Sequence, residues 1–137
     1  MRMKISDDML YVALEEIKKI SKDNKLPKEY DGYAASFGPA IITSGLLPAV
    51  AFYSDCKKKK RLKLMRIVAK VSGLINDPTY GMHAEKNDGK DLLMFIVKHR
   101  DNPEKMLEIK KKVLQATVAI KLAMRNYQHT DSETENT

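Results

Sequence analysis

Apolar residues recur at steps of three and four along most of this chain, the pattern of helices that turn one face to a core. Met9, Leu10, Ala13, Ile17 and Ile20 make the first stripe. Ser6 precedes it as a capping residue, Asp7 and Asp8 occupy its first turn, and Lys18 and Lys19 stand near its end, the charge order that a helix dipole favours. Tyr30, Tyr33, Ala34, Phe37, Ala40 and Ile41 share the face of a second helix, which Ser44-Gly45 ends. Pro48 opens a short third helix carrying Ala49, Val50, Phe52 and Tyr53. Pro39 removes a backbone bond and clashes one turn back, so a kink or break is predicted near Gly38-Pro39.

A further stripe of Leu64, Ile67, Val68, Val71 and Ile75 follows, with Asp55 a candidate cap for its helix. Turn signals then fill 73–91, an irregular stretch long enough to serve as a contact element. A helix from about Asp88 to His99, through Leu92, Leu93, Phe95, Ile96 and Val97, is apolar round most of its circumference and is predicted to be central and largely buried. The closing helix starts at Asn102-Pro103-Glu104 and carries a seam of Met106, Ile109, Val113, Ala116, Ile120, Ala123 and Tyr127. The expected fold is all-α, a single-domain bundle of five to six helices over 1–128. Residues 129–137, HTDSETENT, are expected to be a disordered polar tail. Tyr33, Phe37, Ile41, Phe52 and Ile96 are expected to share one core.

Charge changes this picture in one place. The net charge is +7, which suits an anionic partner. Lys57, Lys58, Lys59, Lys60 and Arg61 run directly into the stripe at Leu64, and no acid interrupts 57–70. At ~100° per residue, Lys59, Lys63, Arg66 and Lys70 fall within an arc of about 60°. Such a face is either solvated or laid along phosphates, and the clustering favours phosphates. Lys110, Lys111, Lys112, Lys121 and Arg125 on the closing helix form a second candidate set.

Chemistry beyond charge is sparse. The three histidines have no metal-binding partner at helical spacing, and the single Cys56 forms no internal disulfide and suits a reducing cytoplasm. Tyr80 and His83 are the only groups with obvious chemistry in the irregular stretch, and His83 reads as solvent-facing. Gly89-Lys90 lacks the spacing of a phosphate loop, and Glu15-Glu16 read as helix-surface carboxylates. No catalytic residue, metal or cofactor is expected, nor is an enzymatic activity. Met1 to Lys4 are not expected to open a signal peptide, and no run approaches a membrane span. With no tryptophan and no evident aromatic platform, sequence-specific recognition of a single strand is not expected.

The residues 30–53 carry a resemblance. Tyr30-x-x-x-Ala-x-x-Phe-Gly-Pro-Ala-Ile-Ile, then Ser44-Gly45-Leu46, then Ala49-x-Ala-Phe-Tyr, resembles the small helical subunit of the type III-B CRISPR effector, the Cmr complex. The pattern departs at Gly38, where an aliphatic often precedes the proline, and at Leu47-Pro48, where a small or polar pair is usual. The resemblance implies a non-catalytic, cytoplasmic subunit of an antiviral ribonucleoprotein. It would stack with copies of itself along the filament beside other effector subunits, lining the channel that holds guide RNA and target RNA. Backbone contacts without base readout need only positioned lysines and arginines. Two other classes stay open, a helical protein–protein adaptor without nucleic-acid contact and a helix-turn-helix DNA regulator, although the 37–52 hairpin is too apolar to read bases.

Overall fold

In the computed structural model, which describes residues 4–55, 57–75 and 90–130, Ser6 Oγ accepts the Met9 N–H at 3.1 Å and starts α1 (Asp7–Ile20). A turn with Asp23 and Asn24 at φ of 54° and 62° leads into β1 (Lys25–Pro27). Helix α2 (Lys28–Ser44) then runs through Pro39 without the predicted break. Ala35 and Pro39 are both exposed, so the carbonyl that loses its partner faces the solvent side. The Thr43 hydroxyl donates to the Pro39 carbonyl at 3.0 Å. Gly45, at φ +98°, donates its N–H to Ile41 O at 2.9 Å and turns the chain into α3 (Leu46–Tyr53), with Pro48 in its first turn as expected.

Asp55 caps a turn rather than a helix: its carboxylate accepts the Lys57 N–H at 2.9 Å and its carbonyl the Lys58 N–H at 3.0 Å. Helix α4 (Lys59–Ser72) starts without a side-chain cap and ends at Gly73 in the left-handed conformation. Helix α5 (Asp91–Lys98) is two turns long. Asn102 Oδ1 accepts the Lys105 N–H at 3.0 Å and starts α6 (Pro103–Met124), the longest of the six described helices. The chain then forms β2 (Gln128–Thr130), which pairs in parallel with β1, Leu26 opposite His129. Among the described residues the architecture is an all-α bundle, with this three-residue pairing as its one sheet.

Packing reassigns the centre. Helix α4 touches every other helix, and α6 lies against α1, α2 and α4. Leu62, Leu64, Met65, Ile67, Val68, Ala69 and Val71 are all buried, although α4 is the most cationic helix in sequence. Helix α5, predicted to be central, packs mainly on α3 and α4; it buries Leu92 and Ile96 and leaves Met94 exposed. Two turns at the edge of a bundle cannot hide a whole circumference. Phe37, Ile41 and Ile96 are fully buried and Tyr33 packs at the margin of the core, but Phe52 stands out into solvent. Adjacent residues on α3 point about 100° apart, and Tyr53 takes the inward position. The ordered chain also extends past 128: His129 and Thr130 belong to β2 because Leu26, fully buried, brings the pairing edge to them. The readings of Cys56, Tyr80, His83, a helix start at Asp88, Gly89 and 131–137 lie outside the described residues.

Candidate nucleic-acid interface

The turn before α4 and its first turn hold the densest positive charge. Lys57, Lys58 and Lys59 are exposed. Lys60 reaches back to α2 and donates to Glu29 Oε2 at 3.1 Å. The Glu29 carboxyl is held below its ordinary value first by its own backbone N–H and then by Lys60. Arg61 lies over aromatic rings, its guanidinium carbon 4.7 Å from the centroid of Phe52, 5.2 Å from Tyr33 and 5.9 Å from Tyr53. The first turn of α4 contains no acid. Cations there add to the positive end of the helix dipole, an arrangement that costs stability until an anion approaches.

The four-residue stripe is less free than its periodicity implied. Of Lys59, Lys63, Arg66 and Lys70, only Lys59 is exposed; the other three are half-buried on a helix that packs against α1. Glu16 supplies the acid that the local sequence lacks. Its Oε2 lies 2.9 Å from Lys19 Nζ and 3.6 Å from Lys70 Nζ, and the first contact holds the Lys19 ammonium above its ordinary pKa. Burial, and then the nearby Arg66 charge, push Lys63 down. Glu16 is thus a partner of this stripe rather than a plain surface carboxylate.

Contacts between elements also show which cations share a region. Glu29 at the start of α2 meets Lys60, and β1, just before α2, pairs with β2, just after α6. The start of α4, the end of α6 with Arg125, and the segment containing Lys22, Lys25 and Lys28 therefore lie at one end of the bundle. Those three lysines are exposed. They were not singled out in the sequence because they are spread across a turn, a strand and a helix start, and only the pairing gathers them. Asp23 and Asp31 belong to the same end, and Asp31 lies 3.8 Å from His129.

Along α6 the second candidate set divides. Arg125 belongs to that basic end, whereas Lys110, Lys111 and Lys112 lie toward the helix start, where Lys112 and Lys105 approach Glu108 at 3.7 and 3.8 Å. Lys121 is exposed and edges a shallow groove between α2 and α6, lined by Ala35, Gly38, Pro39, Ile42, Leu114 and Val118. The structure does not unite the two candidate sets into one face. No group of three or more potential metal ligands occurs among the described residues, and none of their helices is long and apolar enough to cross a membrane.

A family model described as CRISPR-associated protein (Cas_Cmr5) matches residues 6–125. No curated protein and no solved structure matches the chain.

Proposed function

The chain belongs to the CRISPR-associated Cas_Cmr5 family, the small subunits of type III-B Cmr complexes, and from that premise we propose that it is a non-catalytic subunit whose basic end contacts the guide–target backbone. The supporting observation is the start of α4, where Lys57, Lys58 and Lys59 are exposed and no acid occupies the first helical turn. Phosphates laid there answer both the lysines and the helix dipole. Contacts of this kind position a strand without reading its sequence.

Stacking along the filament is the second part of the reading. Leu107 is 70% exposed and Ile42 64%, and Val118 and Leu122 are also open. Together with the α2–α6 groove they offer apolar area to a neighbouring copy or another effector subunit. Lys111 and Lys121 beside them keep the free chain dispersed. The setting that fits these contacts is antiviral defence in the cytoplasm.

The clean test uses the exposed lysines, since Lys70 is engaged with Glu16. In the assembled complex with guide and target RNA, Lys57→Gln, Lys58→Gln and Lys59→Gln combined should weaken target binding about equally for any sequence. The slope of log affinity against log salt should flatten by somewhat under one unit per lost contact. An undiminished affinity with an unchanged slope rejects this end of α4 as the contact and passes the role to the second set on α6, Lys110, Lys121 and Arg125 among them, or to Lys22, Lys25 and Lys28.

A further inference from the structure

Phe52 is 62% exposed. A lone exposed phenylalanine is ordinary; what lies against this one is not. Arg61 spreads its guanidinium 4.7 Å from the ring centroid, and the same group also contacts the rings of Tyr33 and Tyr53. Arg61 forms no ion pair among the described residues, and its buried Nε has no hydrogen-bond partner. Among the described residues the guanidinium is thus held by aromatic faces, with no carboxylate paired to it. The support beneath it is fixed: the Tyr53 and Ser36 hydroxyls are 2.7 Å apart, Tyr53 also donates to Tyr33 O at 3.3 Å, and its ring meets Phe37 at 4.9 Å. Lys58 lies one turn before Arg61 along the chain, with Lys57 beside it, and both are exposed.

We propose that Phe52, backed by Arg61, is a stacking platform for one unpaired nucleobase, with Lys57 and Lys58 holding the phosphates that flank it. The ligand class is single-stranded nucleic acid. This rests on the reading that the start of α4 meets a nucleic-acid backbone, and it adds a base contact to that reading. One ring face carries the guanidinium, and the exposure of the side chain leaves room for a base on the other. An aromatic surface beside cations binds bases with little sequence preference, because every base has a π-face. The sequence concealed the platform because periodicity assigned Phe52 to the core.

The chain contains no tryptophan, so Phe52→Trp introduces a single indole at the platform. The probes are a short oligouridylate, its deoxy counterpart and an abasic phosphodiester of the same length, each labelled so that anisotropy reports binding. Both base-bearing strands should quench the indole, and the abasic strand should bind without quenching. Tighter ribose than deoxyribose binding identifies RNA as the source of the base, and the reverse identifies DNA. Phe52→Ala should lower oligouridylate affinity about fivefold or more while sparing the abasic strand. Phe52→Leu, which keeps apolar bulk without a π-face, should behave like Phe52→Ala. If Phe52→Ala changes neither strand while Lys57→Gln with Lys58→Gln weakens both, the platform is refuted and the backbone contact stands. If no strand binds the wild-type chain, the platform is refuted, while the backbone contact stands or falls by the lysine variants in the assembled complex.

Discussion

Phe37 and Phe52 face opposite environments although both belong to the same helical hairpin. Phe37 is fully buried against Tyr53, and Phe52 is mostly open. Phe37→Ala should therefore lower the unfolding free energy by about 3–5 kcal/mol, measured by urea denaturation. The same truncation at Phe52 should stay within about 1 kcal/mol, the lost cation–π contact included. Equal losses at both positions would contradict the orientation of α3. Glu29 sets a pH dependence of its own. Its carboxyl is held below the ordinary value of 4.5, chiefly by its own backbone N–H and then by Lys60. The folded chain thus favours the ionised form. That contribution is complete above pH 4.5 and disappears as pH falls through the lowered folded value. Urea midpoints for wild type and Glu29→Gln should differ most near neutrality and converge in acid. A gap that stays constant across this range would mean that Glu29 stabilises the fold by shape alone.

Among the elements, the α2–α3 corner depends on one backbone conformation. Gly45 has φ +98°, a region that side chains rarely adopt, while a Cβ there would meet Pro48 Cδ at an ordinary 3.5 Å. Backbone strain, rather than a clash, should make Gly45→Ala cost about 1–3 kcal/mol in thermal or urea unfolding. A neutral result would show that the corner relaxes into another turn. Helix α4 joins core and surface most closely. It buries apolar side chains around most of its circumference, yet it presents Lys59 at its start, with Lys57 and Lys58 exposed in the turn just before it. Its long cationic side chains allow this, because their stems pack while their charges extend outward. The predicted starts of α1 and α6 agree with the structure, since Ser6 and Asn102 cap through their own side chains and need no distant partner. Pro39 does not break α2, and the Ala35 carbonyl that it leaves without a helical partner lies on the exposed side.

Over the whole molecule, the β1–β2 pairing ties the chain after α6 to the segment between α1 and α2. Gln128 N–H donates to Asn24 O at 3.1 Å, and the Thr130 hydroxyl donates to Leu26 O at 3.4 Å. A chain ended at Tyr127 should lose about 1–3 kcal/mol, from a few hydrogen bonds at roughly 0.5–1.5 kcal/mol each, and melt at a lower temperature. An unchanged melting temperature would show that the pairing adds nothing to stability. The pairing also brings Lys22, Lys25, Lys28 and Arg125 to the end of the bundle where α4 begins. By itself the sequence determined the helical class, most helix boundaries, the inward seam of α6 and the basic run at 57–61, because periodicity, capping and local charge depend on near neighbours. Only the tertiary structure decided that α4 rather than α5 is central, that Glu16 answers Lys70, and that Tyr53 turns inward while Phe52 lies under Arg61. Each of these depends on which faces meet across long separations in sequence, and helical periodicity defines a face without naming its partner.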